Sequence, residues 1–233
     1  MLPLVRFELV RALRNVKYLV FLVAVPVGFY LMWGRGSDAA LVAMAVYAAT
    51  GGALMAAGGG VADDRAQGWL RQLRVTPLSG ARWLAGRVVL GVVMTLPGIL
   101  AVCLAAVLVG HADLPPARWA ALAGVLLAGS LPFCLLGLFL GLTLRGKTAQ
   151  LGIVVVFFAL AALGGVIGQG DLPGAWQRVR ELTPSHSLLL YGDAAASGRD
   201  GRSAGLGQAG VLAAWTALAG AAVLARRRWS SDG

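Results

Sequence analysis

An all-α integral membrane bundle is predicted by three observations on this sequence. Of its 233 residues 58% are hydrophobic and only 13% charged, whereas an ordinary soluble domain carries about a quarter charged residues. Six apolar stretches each approach the roughly 20 residues that a helix rising 1.5 Å per residue needs to cross a 30 Å hydrocarbon layer. Lysine and arginine gather in alternate gaps between these stretches.

The predicted spans run approximately over 18–34, 39–61, 88–110, 119–142, 149–168 and 206–225, and none contains Asp, Glu, Lys or Arg. The last is rich in Ala and Gly, which drive insertion weakly, but Arg226, Arg227 and Arg228 follow it as a stop. Arg6, Arg11, Arg14, Lys17, Arg65, Arg71, Arg74, Arg82, Arg87, Arg145, Lys147 and those three arginines fall on one side. Arg35, Arg118, Arg178, Arg180, Arg199 and Arg202 fall on the other, four of them in one long loop. Positive residues mark cytoplasmic loops, so both termini of a multi-pass protein are expected in the cytoplasm. No small-residue cleavage site follows the first span, where Trp33-Gly34-Arg35-Gly36 stands, so it reads as retained.

Two segments outside the spans have a pattern of their own. Leu2, Val5, Leu9, Ala12, Leu13 and Val16 recur at helical spacing, with Arg11, Arg14 and Asn15 on the other side. This predicts an interfacial amphipathic helix over 1–17, with Arg6 and Lys17 reaching toward lipid head groups. The outer region 169–205 is long for a bundle loop. Its Leu172-Pro173 start predicts a short helix, and Thr183 to Tyr191 has the composition of a segment that re-enters the membrane.

Several chemistries are excluded by residue type and context. The net charge of +10 is distributed between apolar blocks rather than gathered on a water-facing surface, so nucleic acid is not an expected partner. Cys103 and Cys134 each lie within a span and read as packing residues. Gly141-Leu142-Thr143-Leu144-Arg145-Gly146-Lys147-Thr148 matches the phosphate-loop pattern, but that loop works between a strand and a helix. Here it joins two membrane-length segments and reads as a basic turn. His111 and His186 fall near the outer surface, and no span carries an acid, base or ligand for intramembrane catalysis. Ion-coupled carriers place charge near the midplane, so uphill transport by this chain would draw its energy from elsewhere, and its cofactor need is expected to be none. Gly137-x-x-x-Gly141 and Gly164-x-x-x-Gly168 are candidates for close helix packing.

The remaining segment, Asp63 to Ser79, begins with acids, carries arginines later and ends its helical pattern at Pro77. Trp69, Leu70 and Leu73 make a short apolar patch on this charged element, suited either to a groove on a partner or to the membrane interface.

Asp64-Arg65-x-x-Gly68, followed by Leu-Arg-Gln-Leu-Arg-Val-Thr-Pro-Leu-Ser from Leu70 to Ser79, closely resembles the coupling segment of ABC-2-type transporter permeases, especially those of bacterial drug and antibiotic exporters. The interfacial helix, six spans and long outer loop resemble that family over the whole length, as one domain of residues 1–233. Ala66 stands where the family commonly has Glu. The resemblance implies that Asp64, Arg65, Gly68, Trp69, Leu70, Leu73, Thr76, Pro77 and Leu78 couple to a separate cytoplasmic ABC ATPase, which would bind ATP and Mg. It also implies a second permease copy, as homodimer or paralogous heterodimer, surrounded by membrane lipid. The expected activity is export of a small amphipathic compound. A non-transporting scaffold or regulatory subunit, or export of lipid or polysaccharide, are the competing expectations.

Overall fold

The computed structural model describes residues 20–66, 80–144, 146–168, 173–199 and 204–229. The predicted interfacial helix over 1–17 lies outside them. Every regular element among the described residues is helical. After a π-helical turn at Val20–Ala24 come α1 (Val25–Trp33) and α2 (Asp38–Leu54). A second π-helical turn, Met55–Gly59, joins α2 to α3 (Gly60–Ala66). Then follow α4 (Gly80–Val93), α5 (Leu96–Leu108), α6 (Pro116–Gly129), α7 (Leu131–Thr143), α8 (Gly146–Leu163), α9 (Ala175–Glu181), α10 (Pro184–Ser197) and α11 (Leu206–Trp229).

Local chemistry sets the ends. Ser37 caps α2 by accepting from the Ala40 N–H at 3.3 Å, and Asp38 follows in the first turn, where the helix dipole favours an acid. Thr183 caps α10 by accepting from the His186 N–H at 3.4 Å, with Pro184 placed where its missing N–H costs nothing. Gly198 ends α10 in the left-handed region at φ 70°, as a helix C-terminus favours.

Consecutive helices merge into longer apolar units. Among the described residues five are long and apolar enough to cross a membrane: Asp38–Arg65, Trp83–Leu108, Pro116–Thr143, Gly146–Leu163 and Leu206–Arg226. Leu22–Met32 is a shorter apolar helix. At the end that holds Asp63 to Arg65 the helices outrun the apolar windows read from sequence, because a helix continues past the hydrocarbon edge while its backbone bonds are satisfied; at the other end two stop short, at Leu108 and Leu163. Asp63, Asp64 and Arg65 thus lie on the end of the Asp38–Arg65 unit, and Arg87 lies inside Trp83–Leu108.

Asp38–Arg65 is the central unit, with 72% of its most apolar stretch buried against 11% for Leu206–Arg226 at the periphery. Leu41, Val42, Ala45, Val46, Ala49, Ala53 and Leu54 form its buried core face. It meets α7 backbone to backbone. A Cβ on Gly137 would lie 3.0 Å from Leu54 Cα, and one on Gly141 would lie 3.2 Å from Gly58 Cα. The Gly137-x-x-x-Gly141 pair is therefore a close-packing surface, as small residues permit in membrane bundles. Gly164-x-x-x-Gly168 is not: Gly164 meets Ser185 while nothing lies near a Cβ on Gly168. The α8 helix has already ended at Leu163, so these two glycines share no helix face.

Two of the long units are interrupted at one level, and a third within about a turn of it. Gly91 lies against Cys134 and Ala57. One turn from each of these, in the same direction along the bundle, come Thr95, Ser130 and Ala53. Thr95 and Ser130 are the breaks in Trp83–Leu108 and Pro116–Thr143, each followed two residues later by Pro97 or Pro132, and the Met55–Gly59 π-turn, which contains Ala57, lies about one turn nearer the Arg65 end of its unit. Proline removes a helix hydrogen bond and π-turns displace one, so both are identifiable causes of a bend. Local hydroxyls satisfy backbone there: Thr95 donates to Val92 O and Ser130 to Leu127 O, each at 2.7 Å. In an apolar surrounding such repair is required.

Gly137→Leu is expected to force α7 away from the Leu54 backbone and to cost about 1–3 kcal/mol or more, as overpacking does. Thermal unfolding of purified protein in detergent checks this, with Gly124→Ala, where nothing lies within 4 Å of the new Cβ, expected to be near neutral.

Candidate functional site

The end of α3 is a junction. Successive residues of an α-helix point about 100° apart, so three in a row face three different directions, and Asp63, Asp64 and Arg65 reach three different elements. Asp63 Oδ1 accepts from Gln150 Nε2 of α8 at 3.1 Å. The Asp64 carboxylate pairs with the Arg87 guanidinium of α4, and each side chain is only 6% exposed. Arg65 Nη1 donates to the Gly141 carbonyl at 3.0 Å, to that of Leu142, and to that of Leu144 at 3.2 Å.

Each contact answers a physical need. A buried carboxylate needs an opposite charge, because desolvation without one is far costlier than the pair. Arg87 supplies that charge and also lies over the Trp83 ring at 5.8 Å, one helical turn before it. Gly60 leaves room for this guanidinium, since a Cβ there would stand 2.8 Å from Arg87 Nη1. The last carbonyls of α7 lack helical partners, and a cation at a helix C-terminus both satisfies them and complements the dipole. Arg65 does both.

The same contacts decide the phosphate-loop pattern at Gly141–Thr148. Among its described residues it is the last turn of α7, an extended Leu144, and the first turn of α8 beginning at Gly146 with φ 54°. A phosphate cradle presents N–H groups to an anion. This turn presents carbonyls to a cation.

Of the residues expected to couple to a partner, Asp64 and Arg65 occupy this junction. Gly68, Trp69, Leu70, Leu73, Thr76, Pro77 and Leu78 lie outside the described residues. Sequence reading missed Asp63, Gln150 and Arg87 as members of the site. Arg87 counted only as a positive charge flanking a span; its spacing of four from Trp83 was the available signal, because that spacing places both on one helix face.

At the opposite end, α9 and α10 fold back against the bundle. Leu188 of α10 packs on Gly129, which lies 13 residues, or about 20 Å of helix, beyond the start of α6 at Pro116. Ser185 Oγ donates to Leu160 O, Ser187 Oγ to Gln208 Oε1 at 2.7 Å, and Trp215 Nε1 to Leu182 O at 2.9 Å. His186 places Nδ1 3.3 Å from Gly164 O, so the nitrogen facing that carbonyl carries the proton. Burial holds the imidazole pKa below its ordinary 6.5; the Gly164 contact opposes that shift, Arg180 adds to it and Glu181 opposes it. His186 is thus part of a packed helix start and not a free loop residue.

An all-helical bundle with several membrane-length apolar helices and a charged junction at one end defines an integral membrane protein. Residues 22–225 match the ABC-2 family transporter protein family, and the chain belongs to that family. It is also 29% identical over 214 residues, 78% of this chain and 86% of the relative, to a Bacillus subtilis (strain 168) protein named "Putative transport permease YvfS". No solved structure matches it.

Two outcomes follow from these contacts. Arg87→Ala removes the charge paired with the buried Asp64 carboxylate and is expected to cost about 3–5 kcal/mol, whereas Asp64→Leu combined with Arg87→Met is expected to recover most of it; thermal unfolding of the three proteins measures both. For His186 the folded pKa is depressed, so the unfolded chain binds the proton more readily. Its stabilising contribution is complete above about pH 6.5 and is lost as pH falls through the lower folded value. Unfolding temperature followed across this window should decline, and His186→Gln should flatten that part of the decline.

Proposed function

We propose that this ABC-2 permease is the membrane subunit of an ATP-driven exporter that moves a small amphipathic compound out of the cell, powered by a separate ABC ATPase. The observation that carries the reading is the junction formed by Asp63, Asp64 and Arg65. It immediately precedes the segment 67–79 in the chain, and it ties that point to three neighbouring elements. A segment that receives a push from a partner needs such an anchorage, since otherwise the push would be absorbed at its own root.

In this reading the junction end is cytoplasmic, both termini lie on that side, and the chain makes six spans in the bacterial inner membrane. Trp69, Leu70 and Leu73 dock into the ATPase, Gly68 permits close approach, and Thr76, Pro77 and Leu78 lead the chain back toward α4. ATP and Mg are held by the ATPase. The active unit holds two permease copies, identical or paralogous. The apolar stretches read from sequence hold no carboxylate or lysine, and Asp63, Asp64, Arg65 and Arg87 gather at one end of the bundle against protein partners; neither provides a midplane station for a driving ion, which supports borrowed energy and lipid-like or amphipathic cargo.

Co-purification with the ABC ATPases of the same genome tests the pairing. One ATPase is expected to bind, and Leu73→Asp, which places a charge in an apolar contact, is expected to weaken it by roughly a hundredfold, as loss of an interface anchor does. Binding by no ATPase, or binding indifferent to that change, removes the coupling assignment. Vesicles reconstituted with both subunits and a panel of dye-like amphipathic compounds then separate exporter from scaffold, because a scaffold moves none of them with ATP.

A further inference from the structure

We infer that a groove between α8 and α11, floored by α7, holds one anionic phospholipid of the leaflet at the junction end.

Both helices pack along α7, yet among the described residues they make at most isolated contact with each other. Gly152 of α8 lies against Leu144 at the end of α7, and Gly220 of α11 lies against Leu135 on another side of it. The strip of α7 between them carries Leu136, Leu140 and Thr143, which share one helix face and are only part-buried. On the α8 wall Thr148, Val155 and Ala159 share an exposed face. On the α11 wall Trp215, Ala222 and Arg226 share a face, spaced seven and four apart.

The groove is closed at mid-depth. The chain from α9 into α10 bridges its two walls, with Trp215 Nε1 donating to Leu182 O and Ser185 Oγ to Leu160 O. From Trp215 to Arg226 is eleven residues, or about 16 Å of helix. That is half of a hydrocarbon layer roughly 30 Å thick, the depth of one leaflet's acyl chains.

Charge selects the kind of lipid. Arg226 stands on the α11 face below Trp215, Lys147 lies on the first turn of α8, and both are exposed. Arg226 is six residues beyond Gly220, and Gly141 is six beyond Leu135, so Arg226 reaches the level of the last turn of α7. The two cations therefore stand at the same end of the groove, and Arg227 and Arg228 follow in the same helix. Asp63 and Asp64, the described carboxylates at that end, are engaged by Gln150 and Arg87. Among the described residues neither Arg226 nor Lys147 is in an ion pair. An anionic head group gives both a counter-charge while its chains cover the part-buried strip; a zwitterionic head group brings its own cation. Basic pockets between spans hold anionic head groups by this chemistry. The site goes beyond the permease reading and needs no ATPase.

Native mass spectrometry of the full chain in mild detergent tests this, with phosphatidylglycerol and phosphatidylcholine of identical acyl chains as probes. One phosphatidylglycerol per chain is expected to be retained, at least tenfold more tightly than phosphatidylcholine. Arg226→Gln and Lys147→Gln are each expected to weaken it about fivefold, the attraction of one basic residue to an anionic leaflet, while Arg226→Lys retains binding. Val155→Trp and Ala222→Leu, which fill the groove from opposite walls, are each expected to release the lipid with both cations in place and the unfolding temperature unchanged. Equal retention of the two lipids, or retention indifferent to the glutamine variants, overturns the proposal. Loss with those variants but with neither groove-filling one would mark a charged surface without a groove and overturn it too. Displacement by soluble glycerol phosphate would assign the cations to a free anion, and loss of lipid on dimer formation would give the groove to a second copy; either outcome also overturns it.

Discussion

The close backbone approach between the Asp38–Arg65 unit and α7 is the constraint on which the rest of the bundle depends. Helices in lipid have no hydrophobic drive toward one another, so contact comes from packing and polar bonds. Gly137 on Leu54 and Gly141 on Gly58 allow that packing. The approach also sets the reach of Arg65. With α3 held this close, its guanidinium lands on the last carbonyls of α7; a bulkier seam would leave those carbonyls out of range.

Charge is then placed where it can be satisfied. The spans read as uncharged, yet the helices extend past them and carry Asp64 and Arg87 into a buried pair. Such a pair contributes little net stability over an apolar substitute, although breaking it from one side is costly. Its value here is directional. It fixes α3 to α4 in one register, while Asp63 and Arg65 fix the same turn to α8 and α7. Three consecutive residues serve three neighbours because a helix rotates its side chains around the axis.

The two ends of the bundle differ in kind. The junction end is built from ionic and charge-assisted contacts that define discrete arrangements. The opposite end is built from α9 and α10, whose hydroxyl-to-carbonyl bonds at Ser185 and Ser187 satisfy polar groups inside an apolar surrounding. Between the ends, within about a turn of one another, three long units depart from regular α-helical bonding. A membrane protein tolerates such breaks only where neighbours or local hydroxyls repair them, and Thr95 and Ser130 do so.

The sequence by itself determined the helical membrane class and the family, because apolar length, uncharged spans and a short loop pattern are properties of contiguous residues. It also marked Asp64 and Arg65, Gly137 and Gly141, and the improbability of nucleotide at Gly141–Thr148. What it could not supply were the partners. Asp63 and Gln150 are 87 positions apart, Arg65 and Gly141 are 76 apart, and Asp64 and Arg87 are 23 apart. No periodicity links such residues, since each pairing depends on which faces two helices turn toward each other. The closeness of the three breaks in the bundle was hidden for the same reason. A proline announces a bend in its own helix, and only the packed bundle decides whether bends in different helices meet.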